Sequence, residues 1–117
     1  MAAATLAHQS GGRYALGIGT STRALTEGFH DVEYTAPIAT LRERVEQTRA
    51  LLSGERHELG RDARALRLGS DALPWVPIYL GALSPRALRL TGELGEGWLP
   101  FLVPPTKIGE FVARIDE

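Results

Sequence analysis

Val76 to Leu94 reads V-P-I-Y-L-G-A-L-S-P-R-A-L-R-L-T-G-E-L. Ile78, Tyr79 and Leu80 form a short apolar run of β-favouring residues, the composition of a buried parallel strand. Gly81 and Ala82 carry almost no side chain, so another molecule can approach the backbone there. Ser84 is a good N-cap, and Pro85 suits the first helical position. From Arg86 onward the residues favour helix, with Ala87, Leu88, Thr91 and Leu94 on one side. A strand therefore ends, a small-residue turn follows, and a helix begins with its N-terminus at the strand's end. Free N–H groups and the positive end of the helix dipole make such a junction a natural anion site. Plain turn chemistry is the other reading of G-A-L-S-P-R, because every βα unit needs a tight turn and a capped helix.

Outward from this unit the pattern repeats. Arg13 to Gly19, R-Y-A-L-G-I-G, is a second apolar strand that ends in glycine, and the hydroxyl-rich turn Thr20-Ser21-Thr22 follows. Trp98 to Val103, W-L-P-F-L-V, is a third, bounded by Pro104-Pro105. The clearest helix spans Ala36 to Leu52. Ile38, Leu41, Val45, Thr48 and Leu52 form its apolar stripe, Pro37 sits in its first turn, and Ser53-Gly54 ends it. Arg42, Glu43, Glu46 and Arg49 fall on its wet face. Thr106 is placed to cap a last helix, with Ile108, Phe111, Val112 and Ile115 at helical spacing. Ala2 to Gln9 is helical in propensity, stopped by Ser10-Gly11-Gly12, and reads as the tail of a helix whose start is missing. Leu25 to Tyr34 reads as loop. Glu55 to Trp75 is a long excursion that includes a small hairpin, and its arginines, Arg56, Arg61, Arg64 and Arg67, read as solvated surface. Strands alternating with helices mean parallel βαβ units and an α/β fold.

Composition narrows the function classes. The 117 residues make one domain at most, with 44% hydrophobic and 23% charged residues. A net charge of -1 gives no electrostatic case for nucleic acid or an acidic membrane surface. The lack of cysteine excludes disulfides, thiolate metal sites and cysteine nucleophiles, and fits a cytoplasmic protein. No stretch has the length of a membrane span or the form of a signal peptide. His8, His30 and His57 have no metal-ligand spacing, so no metal site is expected.

Ser10 to Ser21, S-G-G-R-Y-A-L-G-I-G-T-S, and Val76 to Trp98 closely resemble the luciferase-like flavin-dependent monooxygenase and reductase family. E-G-F-H at Glu27 to His30 and the helix before Gly54 extend the resemblance over nearly the whole chain; Glu55 to Leu73 matches least. The resemblance implies a TIM barrel, of which residues 1–117 would be a middle section of about three βα units, from around strand four onward. It implies FMN or a deazaflavin coenzyme, coenzyme F420, at the C-terminal mouth of the barrel, with the motifs leaning toward the deazaflavin branch. Carried over by position, Gly81, Ala82, Leu83 and Ser84 match the phosphate loop, and Gly19, Thr20 and Ser21 the turn beside the flavin. The implied activity is hydride transfer or oxygen activation on a small organic substrate.

Other residues have two readings. His30 is a proton donor near the flavin or a loop histidine, and Glu27 an aid to it or a solvated glutamate. Arg86 reaches the phosphate or faces solvent. Trp98 lines the cofactor cavity or packs in the core. Three parallel strands cannot close a barrel, so the isolated chain is expected to be a homo-oligomer without turnover. Ile78, Leu80, Leu16 and Ile18 are candidates for the uncovered side of its sheet. The rival from another class is a non-catalytic barrel remnant that folds by self-association.

Overall fold

In a computed structural model of the chain, which describes residues 1–58, 65–69 and 73–117, three short parallel strands carry helices on one face. In chain order the elements are α1 (Ala2–Gln9), β1 (Leu16–Gly19), α2 (Arg23–Gly28), α3 (Pro37–Leu52), β2 (Ile78–Gly81), α4 (Pro85–Leu94), β3 (Gly97–Leu99) and α5 (Ile108–Ile115). A single 3-10 turn, Pro105–Lys107, leads into α5. The strand order is β1-β2-β3, with β2 central and both pairings parallel.

The core lies between the sheet and the pair α3/α4. Ile78 and Leu80 are fully buried and cluster with Leu41, Val45 and Leu90, and Ile18 and Leu94 pack at the margin. Each of these large side chains contributes on the order of 1.5–3 kcal/mol by leaving water. Period-two alternation then puts Tyr79 and Gly81 on the opposite, open face. The expectation that Ile78, Leu80, Leu16 and Ile18 face the uncovered side is therefore corrected. The helices claim these branched residues because α3 and α4 offer the apolar partners. Trp98, paired with Leu80, also points to the helix side. Its ring stacks on Phe111 at 5.5 Å, and its indole N–H donates to the Ala82 carbonyl at 2.8 Å. It joins β3, the turn after β2 and α5, and does not line a cavity on the open face.

Several boundaries differ from the sequence reading. The first strand is Leu16–Gly19, shorter than Arg13 to Gly19. A short helix, α2, overlaps the start of the expected loop Leu25 to Tyr34, capped by the Thr22 side chain, which accepts from the Leu25 N–H. The third strand stops at Leu99: Pro100 follows, and Leu102 adopts a left-handed φ of 53° that breaks the extended run. Thr106 does not cap α5, since it lies inside the 3-10 turn and the N-cap position, Lys107, makes no side-chain cap bond. In the excursion, His57 and Leu66 form an antiparallel bridge with both backbone hydrogen bonds. Of the arginines of the excursion, Arg61 and Arg64 lie outside the described residues.

Charged residues on α3 are less solvated than their helical phase suggested. Arg42 pairs with Glu93 on α4. The Arg49 guanidinium donates to Glu96 at 2.9 Å and to the Leu94 carbonyl at 3.0 Å, and lies 5.0 Å from the Trp75 ring. Glu96 also accepts the Ile78 N–H at 2.7 Å. One carboxylate thus ties α3 to the start of the central strand. Partial burial raises the Glu96 pKa, but the Ile78 N–H and Arg49 outweigh it and hold the carboxyl below its ordinary 4.5.

Two outcomes test this account. Ser84→Ala removes the acceptor of the Ala87 N–H and should cost about 1 kcal/mol in denaturant unfolding. Because the folded-state pKa of Glu96 is depressed, its stabilisation is present above the ordinary carboxylate range and is lost as pH falls through the lowered value. Glu96→Gln should therefore melt lower at neutral pH and show a shallower loss of melting temperature on acidification below about pH 5. Parallel pH profiles for the two proteins would refute that assignment.

Candidate functional site

The two quoted motifs meet at the C-terminal ends of β1 and β2, where Gly19 and Gly81 are directly paired. Each strand then turns. After β1 the chain passes through Thr20 and Ser21, the latter at a left-handed φ of 57°, before Thr22 caps α2. After β2 it passes through buried Ala82 and exposed Leu83 before Ser84 caps α4.

At the head of α4, the Ser84 hydroxyl accepts the Ala87 N–H at 3.3 Å, and the Ser84 carbonyl accepts the Leu88 N–H at 2.9 Å. Pro85 has no N–H. The Arg86 N–H has no partner among the described residues, so it is one of the unsatisfied donors every helix start leaves. The Arg86 side chain is exposed. The junction has the free donor, dipole end and small approach residues that an anion requires.

The loop between β1 and α3 is braced by Glu27. Its Oε1 accepts from Arg23 at 2.6 Å and from the Tyr34 N–H at 3.0 Å, and Arg23 also donates to the Tyr34 carbonyl at 3.1 Å. The Tyr34 N–H, with help from Arg23, outweighs desolvation and holds the Glu27 carboxyl below 4.5. Glu27 therefore anchors the loop, and among the described residues no hydrogen bond joins it to His30. His30 is exposed, with its ring edge-on to Phe29 at 4.9 Å. A cleft of about 190 Å³ opens beside the end of β1, where Gly19 and Thr20 meet Tyr34, Thr40 and Arg44. Gly81 to Ser84 are not part of it, so the expected site residues form two neighbouring groups joined by the Gly19–Gly81 pair.

The open face holds two side chains that sequence reading did not single out. Three strands place six residues there, in two registered rows: Gly17, Tyr79 and Gly97, then Gly19, Gly81 and Leu99 toward the C-terminal end. Only Tyr79 and Leu99 carry side chains. The alternation of I-Y-L-G against L-G-I-G was the available signal for them. Among the described residues, no three His, Asp or Glu side chains cluster in a way that could hold a metal, and no helix is long and apolar enough to cross a membrane.

Comparison with known proteins gives this geometry its context. The chain is 32% identical over 137 aligned positions to Rv3520c of Mycobacterium tuberculosis, a protein assigned to the coenzyme F420-dependent oxidoreductases; the match covers 100% of this chain and 38% of that protein. It is 35% identical over 109 residues to a phthiodiolone/phenolphthiodiolone dimycocerosates ketoreductase of Mycobacterium bovis, over 87% of this chain and 28% of the relative. Among solved structures, an F420-dependent secondary alcohol dehydrogenase in complex with an F420-acetone adduct matches with a TM-score of 0.78 at 17% identity, over 97% of this chain and 37% of that one. That likeness is one of fold. The chain thus spans well under half the length of each relative. A family model for luciferase-like monooxygenases matches residues 1–117 throughout, and the chain belongs to that family.

Proposed function

We propose that this chain forms about three consecutive βα units of a TIM-barrel oxidoreductase that binds the deazaflavin coenzyme F420 and exchanges hydride with a small organic substrate. The observation that carries the proposal is the β2–α4 junction. Gly81 leaves space, and the uncapped donor of Arg86 stands at the positive end of α4, at the end of the strand where barrel enzymes place their sites. The names of the relatives support the deazaflavin over FMN. The coenzyme supplies a two-electron hydride carrier when bound.

The residues present fit such a group. A Cβ added at Gly81 would stand on the open face, 3.8 Å from the nearest atoms, Gly19 Cα and the Ile18 carbonyl oxygen. In this reading Gly81, Ala82, Leu83 and Ser84 receive the phosphate, with Arg86 reaching it from the first turn, and Gly19, Thr20 and Ser21 border the ring. His30 is the proton carrier facing the substrate, on a loop that Glu27 holds in place.

A second reading is favoured by one observation: among the described residues, nothing covers Tyr79 and Leu99, which are 36% and 44% exposed. A barrel remnant would cover that face with a second copy. The isolated 117-residue polypeptide is expected to associate, as read by sedimentation at several concentrations, because uncovered faces and unpaired edges of a parallel sheet are adhesive. A monomer with one sharp unfolding transition removes this reading.

The cofactor assignment has its own test. Gly81→Val leaves ordinary contact distances within the sheet, so the variant should fold, and the branched side chain occupies the approach to the phosphate loop. Its affinity for coenzyme F420, followed by cofactor fluorescence, should fall at least about tenfold, equivalent to some 1.4 kcal/mol. Unchanged affinity in a folded variant overturns the assignment.

A further inference from the structure

The two side chains of the open face do not stand up from it. The Tyr79 ring lies across the neighbouring strand on Gly97, so closely that a Cβ there would fall 2.7–2.9 Å from three of its ring carbons. Leu99 lies the other way, its Cδ1 3.1 Å from where a Cβ of Gly17 would be, on the far strand. Real Cβ atoms do not approach at 2.7 Å, so the flat pose of Tyr79 requires glycine at position 97. The pose of Leu99 depends similarly, though less sharply, on Gly17.

Gly19 and Gly81 differ. A Cβ at Gly19 would meet only Gly81 backbone, at 3.5 and 3.9 Å, and one at Gly81 only backbone at 3.8 Å. Neither glycine has a left-handed φ. Packing therefore accounts for glycine at positions 17 and 97, whereas neither packing nor backbone conformation does so at 19 and 81. The chain lays its two inward side chains down on the glycines it needs, and keeps the Gly19–Gly81 end of the face low.

We propose that Gly97 and Gly17 are positioning residues: by leaving room for Tyr79 and Leu99 to lie flat, they set the depth at which a planar heteroaromatic ring seats on the open face beside Gly19. This rests on the cofactor reading above and deepens it. Phosphate capture belongs to the α4 N-terminus, whereas ring seating belongs to a side-chain floor whose height is controlled by glycines on other strands.

Two probes separate these roles: coenzyme F420 itself, and a deazaflavin lacking the phosphate-bearing side chain. Gly97→Ala must lift the Tyr79 ring. It should weaken both probes about tenfold or more, and shift the absorbance band of whatever coenzyme still binds. Adding Tyr79→Ala to that variant removes the lifted ring and should restore most of the affinity. A purely structural role for Gly97 would lower the melting temperature and leave the affinity and the absorbance band of the folded protein unchanged. Should Gly97→Ala fail to fold, the milder pair Gly17→Ala and Gly17→Ala with Leu99→Ala gives the same readout. Full affinity in a folded glycine variant, or no recovery in the double variant, overturns the proposal. If Gly81→Val abolishes coenzyme binding while Gly97→Ala leaves it intact, the floor is wrong and the cofactor reading stands. If neither variant changes binding, the cofactor reading itself fails.

Discussion

Burial of Ile78 and Leu80 under α3 and α4 is the constraint on which the rest of the structure depends. The side-chain period of a strand is two, so committing these residues to the helices commits Tyr79 and Gly81 to the opposite face. Parallel pairing then passes the choice sideways. Gly19 comes to lie beside Gly81, and Trp98 beside Leu80. A slip of one residue in β2 would put two fully buried aliphatic side chains into the open and drive the Tyr79 ring into the helix layer. Because α3 and α4 close over the same residues, strand register and helix packing support each other.

The polar contacts divide by end. At the N-terminal end of β2, Glu96 receives Arg49 and the Ile78 backbone, a closed arrangement in which donors and acceptor are matched. At the C-terminal end the matching is incomplete. α4 begins with a proline, Ser84 satisfies the Ala87 and Leu88 N–H groups, and the Arg86 N–H has no partner among the described residues. A matched polar cluster thus lies at the start of β2 and an unpartnered helix donor at its C-terminal end, the end where barrel enzymes place their sites. Glu27 serves a comparable bracing role for the β1–α3 loop. An ion pair there keeps a candidate site loop in shape.

Much of this was legible in the residues. The βα unit at Ile78 to Leu94, the Ser84 cap, the α3 stripe and its end at Gly54, and the parallel α/β arrangement all follow from local rules: alternation, helical spacing, capping chemistry and glycine stops. The family followed from two motifs in order. Where the reading failed, a non-local contact or a specific backbone conformation had overridden propensity. W-L-P-F-L-V looks like one strand, but Pro100 and the left-handed Leu102 end it after Leu99. Thr106 resembles a cap until the 3-10 turn absorbs it. Arg42 and Arg49 sit on a wet phase of α3, yet their carboxylate partners come from residues more than forty positions away.

The sequence by itself determined which residues can form each element and where a helix start meets a strand end, because those properties depend on neighbours within a few positions. It could not determine which face of the sheet the helices would cover. Ile78 and Leu80 suit either face by hydrophobicity, and only the packing of α3 and α4 selects one. Nor could it show that Tyr79 lies on Gly97 and Leu99 over Gly17. Those contacts join residues whose proximity arises from strand register alone, and register is a property of the assembled sheet.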